Sequence, residues 1–574
     1  MLACASLAPL GCGELDVSGS SEPPRDGGGD PGPDSNSPTC ELTCAPDGRS
    51  ILDGCHDDAV WEACPADQAC APFNGGARCV PPCQAAEVVN GSAGCSFHAI
   101  PPDAHEDVAG SCFVMALTNT SPRPASIAAE WGGEKLDISK SVYTVKRTDG
   151  TAAYTRLDPQ IWPGEVALVF LAAAKDGSGS SFTSCPPDVT PALEIDPLVH
   201  GTGWEKAFHV KTDFPVAAYT VFPYGKDPSS IVATLLFPST AKTTDYILSM
   251  PTATGLADRR STTMQLVAFE DETEVVIKPS FDIAGGGGLP STPAGTIVHS
   301  MIDRGRSLQI TQDSAMAGSL VLANRPIALF AGAQCSTSSG SATCDAAHVQ
   351  LAPFIRWGHE YALVAPDARE RARYTLIGAR DGTILTWSPS KPDGAPDTLS
   401  TNQVVSLVAG SALTVKSQDD EHPFHAALDT NESGIGGNGT PVLGGRYVEL
   451  VATDQYLARS DFYVDDSLPD TSLTIVRKRT DSGFKSVFLE CAGEISGWRP
   501  VADKGEFEVA QVTVTKAFEA QPSPKGSCGY GRHAAASEGP FTVTVSGRGA
   551  HATYGYSAGV GGKPAKRVAP TGGP

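Results

Sequence analysis

The sequence lacks any apolar run that approaches the roughly 18 residues a membrane-spanning helix needs. Positive charge is also under-represented, because 42 Lys and Arg face 65 Asp and Glu and give a net charge of −23. Such a field repels phosphate backbones, so we exclude nucleic acid as a partner. The only basic cluster is the short segment Lys563–Arg567. We interpret the acidity as a means of solubility.

Catalytic motifs are absent as well. The chain has no His-Glu-x-x-His and no Gly-x-Ser-x-Gly, and no paired-carboxylate context stands out. We therefore assign no catalytic residue and no metal-ligand set, and we expect a protein that binds rather than one that catalyses. Glycosidase carboxylates leave no short motif, so a secreted carbohydrate-active or proteolytic enzyme on a β scaffold is the alternative, with a structural envelope protein as a third.

Helix signals are scarce, whereas turn-forming residues are abundant. Glycine and proline together make up about 18% of the 574 residues, against roughly 12% in average proteins. This composition is typical of many short strands joined by turns. It predicts an all-β chain of tandem sandwich-like repeats, with a β-propeller as the alternative. A chain of this length is expected to form several domains.

Sixteen cysteines indicate an oxidising compartment. Eight of them fall between Cys40 and Cys95 and predict a small disulfide-rich module, with a zinc site that includes His56 as the rival interpretation. Six later cysteines can pair as 112–185, 335–344 and 491–528. The disulfide candidates are Cys40, Cys44, Cys55, Cys64, Cys70, Cys79, Cys83, Cys95, Cys112, Cys185, Cys335, Cys344, Cys491 and Cys528.

The first twelve residues resemble the end of an export signal, and Leu10-Gly11-Cys12 resembles a bacterial lipobox. This pattern predicts that Cys12 is lipidated and that the chain is an outer-membrane lipoprotein or an extracellular protein, held to a membrane through lipid only. The alternative is a short apolar N-terminus that has no role in export or lipidation. Residues 13–39 are rich in Gly, Ser, Pro and Asp and predict a disordered tether.

Two apolar runs in Gly318–Cys335 flank Asn324 and Pro326 and predict an antiparallel hairpin with a stiff corner. Similar constructions occur in Phe208–Tyr219, where Asp213 and Pro215 hold the corner, in Glu421–Ala427 and, without proline, in Val545–Tyr554.

A repeated theme of about four copies follows the cysteine-rich module, and each copy opens with a predicted hairpin. The third hairpin turns on Asp381-Gly382, a strong short-range hairpin signal. The strand pairs are Cys112–Leu117 with Ala125–Trp131, Met264–Phe269 with Thr273–Ile277, Tyr374–Ala379 with Thr383–Trp387, and Thr471–Val476 with Ser486–Leu489. The predicted segments are a signal remnant (1–12), the tether (13–39), the module (40–96), four β units (97–226, 227–335, 336–445 and 446–560) and a flexible tail (561–574).

Several residue groups invite a binding-site interpretation. Asp461, Asp465, Asp466 and Asp470 form an acidic run that could hold Ca²⁺, although a solvated loop is the simpler interpretation. His422 and His425 lie three apart, point to opposite faces of a strand and so cannot share a metal without a bend. Gly285–Gly288 lacks the lysine and the helix of a phosphate cradle, which favours a flexible loop.

The segment from Trp204 to Ser460 resembles the family named for the N-terminal domain of the IgG Fc-binding protein. The resemblance is carried by Phe208–Tyr219, Ala233–Tyr246 and Gly318–Cys335. Its most distinctive part is Cys344-Asp345-x-x-His348 with Pro353, followed by Trp357-Gly358 and Tyr361. A metal or Cys–His interpretation of Cys344 and His348 competes with a simple disulfide loop to Cys335, which we favour.

The resemblance implies an extracellular, β-rich binding domain, here in a bacterial lipoprotein-type member. Fc binding itself is not carried over, since no binding residues of the family can be mapped. The function expected is adhesion or recognition of an extracellular protein or glycan through inter-strand loops.

Overall fold

The computed structural model describes residues 41–562 apart from 46, 57, 74–75, 149–150, 241–243, 252–260, 337–344, 367–371, 411, 430–445 and 503–504. The predicted signal remnant with Cys12, the tether, Cys40, Cys344 and the basic segment Lys563–Arg567 lie outside the described residues. About half of the chain is strand and 3% is helix, so the all-β prediction is confirmed. No described helix is long and apolar enough to span a membrane.

A small module with several disulfides opens the described chain. Short strands and one helix surround a few apolar side chains, and bonded cysteines hold them together. The bonds with both partners described are Cys44–Cys70, Cys64–Cys79 and Cys83–Cys95. Oxidised cysteine offers no thiolate, so these bonds remove Cys44, Cys79 and Cys83 as ligands of the alternative zinc site. The elements are β1 (Leu42–Cys44), β2 (Ser50–Asp53), β3 (Ala59–Ala63), β4 (Ala69–Phe73), β5 (Gly76–Val80) and α1 (Pro82–Val89).

The first sheet has ten strands and curves around its own core. Its long strand, β15, pairs with β8 through its first half, with β7 and β16 through its second half, and with β6 on both sides of a register shift. The strands are β6 (Ala93–Ala99), β7 (Phe113–Asn119), β8 (Ala125–Trp131), β9 (Glu134–Leu136), β10 (Val142–Thr148), β11 (Thr151–Arg156), β12 (Gln160–Ile161), β13 (Val166–Ala172), β15 (Phe208–Phe222) and β16 (Val232–Leu235).

A five-stranded sheet, in the order β14-β21-β18-β23-β24, faces a four-stranded sheet, in the order β17-β22-β19-β20. Their inner faces share one apolar core, which makes this second group a sandwich. The strands are β14 (Gly203–Lys206), β17 (Asp245–Ile247), β18 (Thr262–Ala268), β19 (Thr273–Lys278), β20 (Val298–Ile302), β21 (Arg306–Gln312), β22 (Leu320–Ala323), β23 (Ile327–Ala333) and β24 (Ala347–Gln350).

The third group is a smaller sandwich of the sheets β25-β31-β28 and β30-β26-β32-β33, with the pair β27-β29 beside them. Single-turn 3-10 helices at Phe354–Arg356 and Thr453–Gln455 flank it. The strands are β25 (Glu360–Leu363), β26 (Ala372–Gly378), β27 (Thr383–Ile384), β28 (Thr386–Ser388), β29 (Thr398–Leu399), β30 (Val404–Ala409), β31 (Leu413–Lys416), β32 (Phe424–Asp429) and β33 (Tyr447–Glu449).

The last sheet has ten strands organised around the 18-residue strand β42. One of its faces packs directly on the first sheet, so side chains from the beginning and the end of the chain form a common core. The strands are β34 (Leu457–Val464), β35 (Asp470–Lys478), β36 (Val487–Leu489), β37 (Gly493–Glu494), β38 (Arg499–Val501), β39 (Phe507–Lys516), β40 (Glu519–Ser523), β41 (Gly526–Cys528), β42 (Gly531–Arg548) and β43 (Thr553–Ser557).

The four opening hairpins of the predicted repeat are wrong. In the second, β18 and β19 belong to the two facing sheets, and in the third the chain leaves β26 through Asp381-Gly382 for strands of other sheets. In the first and fourth, a long strand lies between the two runs, because β15 separates β7 from β8 and β42 separates β35 from β36. The first run of each pair is a strand largely buried on both faces, whereas the residues of the second run alternate between buried and more exposed positions. A strand buried on both faces needs layers on both sides, so its sequence neighbour need not be its pairing partner.

Three proline corners are also not hairpins. Asn324 and Pro326 join β22 to β23 across the two sheets of the second group, and the Asn324 side-chain oxygen accepts a hydrogen bond from the Glu274 N–H at 2.9 Å. Asp213 and Pro215 lie within β15, whose pairing register shifts where proline offers no N–H. Glu421–Ala427 likewise joins β31 to β32 of opposite sheets. Val545–Tyr554, the proline-free version, does form a hairpin of β42 and β43.

Candidate functional site

The family-motif histidine, His348, lies on β24 and is buried. Its Nε2 lies 3.0 Å from the Gln265 Oε1, and the Thr234 hydroxyl donates to its backbone carbonyl at 2.8 Å. The ring stacks on Phe330 with centroids 5.0 Å apart. Burial lowers the pKa of His348 to about 3, so the ring is neutral and Nε2 carries the proton that Gln265 accepts. This histidine joins three strands and is not presented to a ligand.

The neighbouring motif residues are engaged in the same way. The Asp345 carboxylate is fully buried, and its Oδ2 accepts a hydrogen bond from the Thr553 N–H at 3.3 Å. Pro353 begins the 3-10 turn, and Gly358 lies against Ala452 and Asp454, where a Cβ would clash. Cys335 is disulfide-bonded, which removes it as a thiolate. The motif therefore ties the second group of strands to the third and last groups.

Trp357 continues the junction on the third group. Its ring packs against Phe354 and His425, with centroids 5.3 Å and 5.1 Å away. The His425 Nε2 lies 3.4 Å from the Glu449 Oε1. Burial lowers the pKa of His425 to about 3 and raises the pKa of Glu449 to about 8. The pair is therefore a contact between neutral groups at neutral pH rather than an ion pair.

Arg356 closes the structure between the two ends of the described chain. Its Nη1 donates to the Gly561 carbonyl at 2.8 Å, while its Nη2 donates to the Asn90 carbonyl and, at 3.4 Å, to that of Gly91. Its guanidinium lies 5.0 Å from the centre of the Phe237 ring. Burial lowers the pKa of Arg356 to about 10, which leaves it charged at neutral pH.

A cavity of about 40 Å³ remains where these residues meet. It is lined by side chains of the first, second, third and last groups, His348, Trp357 and Glu449 among them. The volume suits a few water molecules and no larger ligand. We conclude that the motif found in the sequence is the packing centre of the fold.

The predicted acidic run does not form one cluster of open carboxylates. Asp461 receives the guanidinium groups of Arg459 and Arg532, and Asp470 accepts from the Ala517 N–H at 2.8 Å. Asp465 and Asp466 are buried between the first and last sheets. Among the described residues, no group of three or more His, Cys, Asp or Glu side chains has a metal-holding arrangement. Ca²⁺ binding stays a prediction without a geometric site among these residues.

Asp466 forms the ion pair that locks the first sheet to the last. The Arg147 Nη2 lies 2.8 Å from its Oδ2, and the Tyr224 hydroxyl donates to its Oδ1 at 2.7 Å. Burial, together with the adjacent Asp466, raises the pKa of Asp465 to about 7. These carboxylates thus serve the interface between the sheets.

The remaining predicted residues fall at separate places. His422 lies at the surface, where its Nδ1 is 2.7 Å from the Asp419 Oδ1, whereas His425 is buried. Gly285–Gly288 forms a tight turn in which Gly286 and Leu289 exchange backbone hydrogen bonds. The bonds Cys112–Cys185 and Cys491–Cys528 lie within the first and last groups of strands, and Cys55 is bonded as well.

An open concave surface lies elsewhere, on the outer face of the last sheet. Side chains alternate along a strand, so Leu473 and Ile475 of β35 enter the shared core while Ser472, Thr474 and Val476 face outward. Near Val476 this outer face is apolar and covered by the third group. Near Ser472 it is polar and borders an open groove. The change from apolar to polar side chains along β35 marks the point where the third group of strands ceases to pack on this face.

Two rows of polar side chains cross this part of the face, and Thr474 and Ser546 are the buried members of these rows. The register places Ser546, Ser472 and Thr513 in one row and Thr544, Thr474 and Gln511 in the next. Around them an open groove of about 670 Å³ is bordered by Arg446, Arg499, Lys516, Arg548 and the single acid Asp470. We call this surface the hydroxyl groove. No sequence motif pointed to it, although the alternating Ser472-x-Thr474, Gln511-x-Thr513 and Thr542-x-Thr544-x-Ser546 would have been a signal.

Comparison with protein-family models assigns the same family that the motif at residues 344–361 indicated. The family model described as IgGFc binding protein matches residues 232–547, which is more than half of the chain. The match begins after Phe208–Tyr219 and extends beyond Ser460 into the last sheet, so the hydroxyl groove falls almost entirely within it. A comparison with curated proteins finds no match.

Proposed function

The chain belongs to the IgGFc binding protein family, and from this premise we propose that it recognises an extracellular protein or glycan at a cell surface, with the hydroxyl groove as the contact surface. The observation that supports the proposal is that the buried titratable residues and the open polar surface lie in different parts of the fold. His348, His425 and Glu449, whose pKa values burial shifts strongly, lie in the packing centre. The open groove carries hydroxyl, amide and cationic groups, which suit recognition.

The same distribution argues against the enzyme alternative. A general acid or base must reach the proton it transfers, and His348, His425 and Glu449 are enclosed within the junction. The disulfides support an extracellular setting, because such bonds persist in oxidising compartments. Anchoring through Cys12 is part of the proposal and rests on the lipobox alone.

A binding screen with a substrate panel tests the function. The purified chain would be applied to arrays of extracellular proteins and glycans, and the same preparation would be assayed with chromogenic glycoside and peptide substrates. We expect saturable binding that a chelator leaves unchanged, with no turnover. Turnover of a substrate would favour the enzyme alternative, and absence of any array partner would favour a structural envelope protein. Mass spectrometry of the native N-terminus tests anchoring, which requires a diacylglyceryl group on Cys12.

A further inference from the structure

We infer that the hydroxyl groove binds a glycan that carries sulfate or carboxylate groups. This inference rests on the proposed function and names the class of ligand for its site. The first argument is charge. Two exposed cationic side chains, Arg499 and Lys516, line the groove together with the half-buried Arg548, the buried Arg446 and one acid, Asp470, although the chain as a whole carries a net charge of −23. Cations concentrated in a concavity attract anionic groups that the rest of the surface repels.

The second argument is the chemistry of the groove floor. Ser472 and Thr513 present hydroxyl groups in one row beside the buried Ser546, and the exposed Gln511 adds an amide next to them. Hydroxyl and amide groups both donate and accept hydrogen bonds, which matches the hydroxyl groups of a sugar. Guanidinium groups bind sulfate and carboxylate through paired hydrogen bonds. A sugar with anionic substituents satisfies both sets of groups at once.

The third argument distinguishes a glycan from an acidic peptide. An extended peptide binds to a sheet by pairing with an unpaired strand edge, with apolar pockets for its side chains. The central floor strand, β35, is paired on both sides, with β39 and β42. The apolar part of the lining is limited to Pro366 and Val512. The groove therefore offers side chains rather than backbone, and polar rather than apolar ones.

The fourth argument is rigidity. The floor residues stand on long strands whose other face is packed into the core shared by the first and last sheets. The side chain of Gln511 is held at the rim, since its Nε2 donates to the Pro366 carbonyl and its Oε1 accepts from the Arg499 Nη2 at 3.3 Å. A preformed array of polar groups loses little conformational entropy when it binds.

The experiment uses the full chain, with binding measured on immobilised heparin, desulfated heparin, polysialic acid and polyglutamate. Heparin presents sulfate and carboxylate, desulfated heparin and polysialic acid present carboxylate alone, and polyglutamate represents an acidic peptide. We expect binding to at least one of the three glycans, at least tenfold weaker binding to polyglutamate, and a loss of affinity as salt is raised. The pattern among the three glycans identifies whether sulfate or carboxylate is recognised.

The variant R499A/K516A removes two exposed cations of the groove, and K135A/K140A removes the same charge from exposed positions on the first sheet and the loop after it. We expect the groove variant to bind the glycan at least tenfold more weakly and the control variant to bind within twofold of the parent chain, with unfolding temperatures unchanged in both. Equal losses in the two variants would overturn the inference, as would equal binding to polyglutamate or no binding to any glycan probe.

The result separates this inference from the proposed function. Binding to a partner on the extracellular array without binding to the anionic glycans overturns the inference and leaves the proposed function standing. Absence of binding to every array partner and to every glycan probe overturns both.

Discussion

Replacement of Arg356 by methionine tests whether this side chain closes the two ends of the described chain. Arg356 donates to the carbonyls of Asn90, Gly91 and Gly561, and the substitution removes that donor from the buried Gly91 and Gly561 carbonyls and from the half-buried Asn90 carbonyl. A hydrogen bond from a charged donor contributes about 1.5–3 kcal/mol, and part of the loss is offset because a buried charge no longer has to be desolvated. The expected net loss is on the order of 4 kcal/mol.

The loss should be local, because Arg356 joins the module and the last sheet at one point. Beside it, the Ser92 N–H donates to the Val560 carbonyl, and the Val560 N–H donates to the Ser92 hydroxyl, both at 3.0 Å. Hydrogen–deuterium exchange of the peptides that contain these amides is the assay. A loss on the order of 4 kcal/mol corresponds to exchange about a thousandfold faster at Ser92 and Val560.

The control is Arg156→Met, which makes the same chemical change at an exposed position of β11. This variant should exchange at the parent rate in both peptides. If the Arg356 variant also keeps the parent exchange rates at Ser92 and Val560, the guanidinium does not hold the two ends together and the reasoning is refuted.

Three further predictions concern the packing centre and the first sheet. Burial raises the pKa of Glu449 to about 8 from an ordinary 4.5, so the folded chain keeps a proton that the unfolded chain releases, and the free energy of unfolding should fall by about 1.4 kcal/mol per pH unit between pH 5 and 8. In urea unfolding, Glu449→Gln should remove this pH dependence. The same dependence of the unfolding free energy on pH in the parent chain and the variant would contradict the prediction. Removal of the Cys112–Cys185 bond by C112A/C185A should lower the free energy of unfolding by about 4 kcal/mol, given a sequence separation of 73, and a loss below about 1 kcal/mol would show that the bond constrains little. Trp357→Ala should lower the free energy of unfolding by about 3–5 kcal/mol in the same assay, while Trp162→Ala, at a 57% exposed position, should change it little. Similar losses in the two variants would show that Trp357 does not stabilise the packing centre.

The positions of many strands were predictable from sequence, but their partners were not. The β-rich runs at Met264–Phe269 and Ile327–Ala331 do lie in strands, since β-branched and long apolar residues fit a sheet. Local signals such as Pro326 and Asp381-Gly382 mark where a strand ends. They do not say which sheet receives the next strand, because that depends on burial of both faces by distant segments.

The two candidate sites illustrate the same limit. The motif at Asp345, His348 and Trp357 was visible as a set of distinctive residue types, yet its burial became visible only with the partners Thr553, Gln265 and His425 in place. The hydroxyl groove arises from Ser and Thr on three strands that are distant in sequence and adjacent in register. Their alternation along each strand indicates a polar face, but only the pairing of the three strands brings the three segments together into one surface.

The common core of the first and last sheets has a consequence for biosynthesis. Strands that leave the ribosome early, such as β7 and β13, present apolar faces whose cover includes β35, β42 and β43, which are made several hundred residues later. A nascent or partly translocated chain therefore exposes the apolar faces of β7 and β13 and must avoid aggregation until the strands of the last sheet have been synthesised. Truncation before β34 would leave these faces uncovered permanently, so a shortened product should be recovered as aggregate or as chaperone-bound chain rather than as a smaller folded protein.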